Sequence, residues 1–182
     1  MPQDFRIIEN EVSGEVKLKI MRRDIQYVPR EVLQDANIFS QVTVLDICNC
    51  RIVELEGRIF SKLKNLTKLL AARNQIKYLS GRISECKFLT HINLECNLLE
   101  MIPSEIGQLH KTLVVLKLSN NKLKKLTLST RELVKLEVLG ISENCLSEIP
   151  DGMEALENLT ELHLSGNSLS VFNVMIGRMP KL

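Results

Sequence analysis

One pattern returns so often in this chain that it leaves little freedom for the fold. Written L-x-x-L-x-L-x-x-N-x-L, it matches VTVLDICNCRI at 42, LTKLLAARNQI at 66 and LTHINLECNLL at 89, then LVVLKLSNNKL at 113, LEVLGISENCL at 136 and LTELHLSGNSL at 159. A degraded seventh copy, EVKLKIMRRDI at 15, keeps Leu18 and Ile20 but carries Arg23 in the Asn slot. On the second apolar position the copies fall at Leu18, Leu45, Leu69, Ile92, Leu116, Leu139 and Leu162, with steps of 27, 24, 23, 24, 23 and 23 residues. A unit this short cannot bury its own apolar face, so a period in this range implies stacked copies sharing one core.

Within each copy, the apolar residues at the fourth and sixth positions alternate with outward-facing ones, which defines a short strand buried on one face. Stacking the copies aligns these strands into a parallel sheet. The Asn that follows is polar where the pattern demands burial. After the strand the chain turns inward and leaves backbone groups without a ladder partner, and an Asn amide supplies both a donor and an acceptor to satisfy them. Cys50, Asn74, Asn97, Asn121, Asn144 and Asn167 are therefore expected to form a structural ladder, with Cys50 a small, weakly polar substitute.

These six motifs resemble the leucine-rich repeat family over roughly residues 15 to 182, and the continuations LLEMIPSEIGQL and CLSEIPDGMEAL are similar to its 23-residue intracellular subclass, which includes Ras-signalling scaffolds and their plant relatives. The resemblance implies an α/β fold, a curved horseshoe solenoid with its parallel sheet on the concave face and short helical, 3₁₀ or irregular segments on the convex face. The return segments fit this. Ile102, Ile106 and Leu109, or Ile149, Met153 and Leu156, form a second apolar set, and Pro103 and Pro150 stand where a helical or 3₁₀ turn would begin.

The ends of a solenoid need atypical units to cover the core. Residues 1 to 14, with Phe5, Ile7, Ile8 and Val12, are expected to supply one at the N-terminus, leaving residues 15 to 182 as the repeat domain. The sequence MIGRMPKL offers no such cover and ends with Leu182 at the first position of a further copy, which points to a fragment of a longer repeat protein or to self-association through an uncapped C-terminal end.

The outward strand positions form columns. Preceding the second apolar position are Val44, Lys68, His91, Val115, Val138 and Glu161; between the pair are Asp46, Leu70, Asn93, Lys117, Gly140 and His163. Beyond the pair come Cys48, Ala72, Glu95, Ser119, Ser142 and Ser165, then Asn49, Arg73, Cys96, Asn120, Glu143 and Gly166. Such a surface suits a protein ligand: Val44, Leu70, Val115 and Val138 supply apolar area, while Lys68, Arg73, Glu95, Lys117, Glu143 and Glu161 set orientation, with His91, Asn93 and His163 among them.

Charge is polarised along the chain. Residues 111 to 135 hold seven basic residues against Glu132, a net +6, whereas residues 137 to 161 hold seven acidic residues and no Lys or Arg, a net −7. The blocks occupy adjacent coils, so lateral ion pairs are expected, Lys125 with Glu148 for one, with a bipolar docking surface as the alternative.

Several function classes are disfavoured. The overall charge is only +2 and the basic block lacks interleaved aromatic residues, so no nucleic acid partner is expected. The longest apolar runs, such as 69 to 72, fall far short of the roughly 20 residues needed to span a bilayer, so no membrane insertion is expected. His91 and His163 lie three coils apart, roughly 14 Å at sheet spacing, too far for shared metal ligation or for activating a nucleophile. No catalytic residue, metal site or cofactor is expected. Five cysteines without a dense framework favour free thiols and a cytoplasmic or nuclear setting. The NLT sequons at Asn65 and Asn158 share one repeat register, which favours a structural role over glycosylation. The sequence thus points to a non-catalytic scaffold or adaptor binding a protein on its concave sheet. Two alternatives stay open: the regulatory or targeting repeats of a larger enzyme, or a piece of an extracellular receptor.

Overall fold

A computed structural model of the chain describes residues 5–21, 24–29, 36–170 and 176–182. Arg23, the expected occupant of the degraded Asn slot, lies outside the described residues. One eight-stranded sheet runs the length of the molecule in the order β1 to β8. Its strands are β1 (Phe5–Asn10), β2 (Glu15–Ile20), β3 (Val44–Asp46), β4 (Lys68–Leu70), β5 (His91–Asn93), β6 (Val115–Lys117), β7 (Val138–Gly140) and β8 (Glu161–His163). From β2 to β8 every pairing is parallel, and the register joins Leu18, Leu45, Leu69, Ile92, Leu116, Leu139 and Leu162 into one row. From Leu18 to Leu139 this row is at most 1% exposed.

The return segments lie opposite the sheet. They comprise α1 (Ala36–Gln41), α2 (Gly57–Lys62) and the 3₁₀ turns Gly81–Glu85, Ser104–Leu109, Leu128–Glu132, Met153–Ala155 and Ile176–Arg178. Short strands opposed by bulkier turns give a curved leucine-rich repeat solenoid with the sheet on its concave face. Ile83, Ile106, Leu109, Met153 and Leu156 from the turns meet the strand residues in a single, largely aliphatic core, in which Phe39 and Phe60 are the buried aromatic rings among the described residues. Each such burial is worth about 1.5–3 kcal/mol, and no coil could gather enough of it alone.

Two polar ladders hold the coils in register. The amide of Asn97 donates to the carbonyls of Ala71 in the preceding coil and of Leu94 in its own, while its Oδ1 accepts from the N–H of Ile76. Asn74, Asn121, Asn144 and Asn167 make equivalent bonds, and the Cys50 N–H donates to Asn74 Oδ1. A second ladder joins threonines: Thr67 Oγ1 donates to the Thr43 carbonyl and Thr90 Oγ1 to that of Thr67, both at 3.0 Å. The sequons belong to this framework. Asn65 Nδ2 donates to the Ser40 carbonyl and Asn158 Nδ2 to that of Val134, both at 2.7 Å, so each side chain is already used to tie one coil to the one before it.

The first strands depart from expectation. β1 and β2 form an antiparallel hairpin that extends the sheet edge. Phe5 packs against the core, but Val12 sits in the connecting turn at 98% exposure and Ile8 at 46%, so neither covers the first coil. β1 instead pairs with the outer edge of β2 and occupies its backbone groups. At the other end of the described sheet, Leu162, Leu164 and Leu169 are only partly buried.

Candidate functional site

Each strand from β4 to β8 is three residues long, with the middle residue in the core and its neighbours facing the concave side. Register therefore sets Lys68, His91, Val115, Val138 and Glu161 in one row and Leu70, Asn93, Lys117, Gly140 and His163 in the next. Leu70, His91, Asn93, Val115, Lys117, Val138 and Glu161 come together around a shallow groove of about 340 Å³. A second hollow of about 280 Å³ shares Lys117, Val138 and Glu161 and adds Glu95, Ser119, Gly140, Ser142 and His163. Gly140 deepens the junction: a Cβ there would stand 3.3 Å from Ser119 Oγ, so the missing side chain keeps the floor open between Lys117 and His163.

The polar groups are partly committed. Lys68 Nζ reaches back over β3 to Glu15 of β2 at 2.7 Å, which draws it toward the N-terminal hairpin. His163 Nε2 lies 3.4 Å from Glu161, and His91 Nδ1 lies 2.8 Å from Thr90 Oγ1. Burial and the nearby charge of Lys68 push the His91 imidazole below its usual range, so it is neutral at physiological pH. Lys117 is half-buried and makes no ion pair among the described residues, which directs its ammonium into the groove.

Two expectations fail on inspection of neighbours. Val44 is 2% and Asp46 8% exposed, so they are lost to the concave surface; β2 carries Lys17, whose Nζ bonds Asp46 at 2.7 Å and closes over that strand. Burial alone would raise the Asp46 carboxyl, but the Lys17 ammonium and the Cys48 N–H outweigh it and hold it below its usual value. Arg73 and Glu143 stay exposed, beyond the strand. They lie on the turn after it, in a column with Asn49, Cys96, Asn120 and Gly166 in which every φ lies between 53° and 67°. This left-handed residue immediately before each ladder position swings the chain inward and aims the Asn amide at the backbone. The sequence signal for it was faint, an Asn at two positions and a Gly at one. Lastly, Lys125 and Glu148 form no ion pair; both are exposed, and they line a lateral groove instead.

Among the described residues no cluster of His, Cys, Asp and Glu could hold a metal ion, and no helix is long and apolar enough to cross a membrane. All five cysteines are free thiols. Burial pushes the Cys86 thiol up to about 12 and the Cys48 thiol to about 11, far from the reactive range.

In-register three-residue strands, an Asn ladder and a concave face of mixed character define the class of repeat solenoids that present a sheet to a protein partner. A leucine rich repeat family model matches residues 40–99 and 111–169, and the chain belongs to that family. An adenylate cyclase of Schizosaccharomyces pombe is 23% identical over 177 residues, covering 80% of this chain and 10% of that protein. The oligodendrocyte-myelin glycoprotein of Homo sapiens is 32% identical over 134 residues, covering 72% of this chain and 29% of that protein. In three dimensions, a leucine-rich repeat protein of Leptospira interrogans superposes with a TM-score of 0.69 at 26% identity, over 87% of this chain and 45% of the other. The chain spans less than half the length of each. The leucine-rich repeat is a protein-interaction fold, typically without catalysis of its own, although some relatives are parts of larger enzymes.

Proposed function

We propose that this chain is a non-catalytic scaffold or adaptor module of the cell interior, binding a protein partner on its concave sheet. The observation that carries this is the groove itself. Val115 and Val138 on β6 and β7 are register partners and Leu70 on β4 lines the same groove, all three half-buried apolar residues among polar groups, with Lys117 and Glu161 on the same walls. Apolar anchors flanked by opposite charges give a partner both area and a fixed orientation. Five free thiols favour a reducing compartment. The test is capture of partners from cell extract by the wild-type chain and by a Leu70→Glu/Val115→Glu variant, with mass spectrometry of bound proteins. A partner lost only in the variant supports the concave site; equal retention by both moves it elsewhere.

A second reading draws on the adenylate cyclase relative, in which the match occupies 10% of a much longer protein. The same concave surface would then serve as the targeting or regulatory region of a larger enzyme. A longer transcript joining these repeats to a catalytic domain would decide for it.

A further inference from the structure

The two charge blocks identified in the sequence lie on neighbouring coils and do not neutralise each other. On the lateral face, below the Asn ladder, the β6 coil exposes Lys124 and Lys125, and the β7 coil exposes Glu148 and Asp151. Lys125, Glu148 and Asp151 line one groove of about 590 Å³ whose floor is apolar, with Leu126 and Ile149, and whose wall includes Leu128 at 61% and Met101 at 55% exposure. None of these four charged residues makes an ion pair among the described residues. Unpaired charges of opposite sign around exposed apolar side chains are the composition of an interface rim and core.

We propose that this lateral groove is a self-association surface that docks a second copy of the chain about a two-fold axis passing between the β6 and β7 coils. Lys125 and Glu148 occupy the same position of consecutive repeats. A two-fold axis lying in the interface, across the solenoid, keeps that position and exchanges the coils. Lys125 of one copy then faces Glu148 of the other, and the same pair forms again by symmetry. The same symmetry sets Leu128 of one copy against the Asp151 position of the other, next to Pro150, so the doubled Lys125–Glu148 pairing, rather than apolar burial, selects this arrangement. An axis along the solenoid would instead set Lys125 against Lys125 and Glu148 against Glu148, so charge selects the antiparallel arrangement. An unrelated partner would need this bipolar pattern in mirror order; the chain already carries it. The concave face stays open in such a dimer, so its occupancy is independent of the function proposed above.

The experiment is sedimentation equilibrium on the full chain, at an ionic strength of about 0.1 M and again at about 1 M, where the Debye length shrinks from about 10 Å to about 3 Å. Two variants accompany it: Lys124→Glu with Lys125→Glu, and Glu148→Lys with Asp151→Lys. The wild-type chain is expected to reach twice its monomer mass at low salt and to dissociate at high salt. Each variant alone is expected to remain monomeric, and an equal mixture of the two to recover the dimer, since the reversed coils then face complementary ones. A wild-type chain that is monomeric throughout overturns the proposal. So does a dimer that both variants retain, which would place the contact elsewhere, such as on the half-buried last coil. Two folded variants, each melting as the wild type does, that stay monomeric when mixed would also overturn it. If a variant does not fold, the wild-type salt response still decides.

Discussion

Asn121 and Leu99 lie on adjacent coils, and the Oδ1 of Asn121 accepts the Leu99 N–H at 2.9 Å while its Nδ2 donates to the carbonyls of Leu94 and Leu118. One side chain thus satisfies backbone groups from two coils at a site 8% exposed. Replacing Asn121 with Leu leaves those groups buried without partners, and the expected loss is about 2–4 kcal/mol in urea unfolding. Asn167 makes the same bonds but is only half-buried, so water can replace them, and Asn167→Leu should cost less than half as much. Equal losses at the two sites would show that burial does not set the cost.

The left-handed column makes a second prediction. Cys96 holds φ at 55°, where a side chain with a Cβ is strained and a β-branched one more so. Cys96→Gly is expected to stabilise the chain by about 0.5–1 kcal/mol and Cys96→Val to destabilise it by about 1–2 kcal/mol. Thermal melts in which Val is tolerated as well as Gly would contradict the backbone argument.

Asp46 should give the fold part of its acid sensitivity. Its carboxyl is held below the ordinary value of 3.8, because the Lys17 and Cys48 interactions outweigh the opposing effect of burial. A folded-state pKa below the unfolded one contributes stability that is present above the unfolded value and lost as pH falls through the folded one. Asp46→Asn should therefore lower the melting midpoint at pH 7 and flatten its fall as pH drops below the ordinary value of 3.8. A variant that loses stability on acidification as steeply as the wild type would remove Asp46 from the account.

Thiol reactivity should divide the cysteines. Cys96 and Cys145 are exposed, Cys50 and Cys86 are buried, and Cys48 and Cys86 are pushed up to about 11 and about 12. At pH 8 iodoacetamide is expected to alkylate Cys96 and Cys145 in the native chain, with the other three reacting only after denaturation. Peptide mapping that finds Cys86 labelled early would mean that its coil opens readily.

Much of this architecture is legible in the chain because a repeat solenoid is built from local pattern. The row from Leu18 to Leu162, the return-segment apolar set and the residues of each strand follow from a period near 23, since every coil meets only its neighbours. The same independence makes the rows of the concave face readable by counting. What fails is whatever depends on a contact outside the repeat. Val44 and Asp46 look outward by position, yet β2 and its Lys17 bury them. Arg73 and Glu143 carry no residue-type signal for the left-handed backbone that the inward turn imposes on them.

The charge blocks show where that division falls. The sequence by itself determined that seven basic residues would be followed one coil later by seven acidic ones. Only the tertiary structure decided that Lys125 and Glu148 remain apart, because the exposed side chains lie across a groove and leave their charges directed at solvent. A parallel stack dictates which backbone positions are neighbours, through hydrogen-bond register. It does not dictate where long, solvated side chains point, since an exposed ion pair gains too little to hold them.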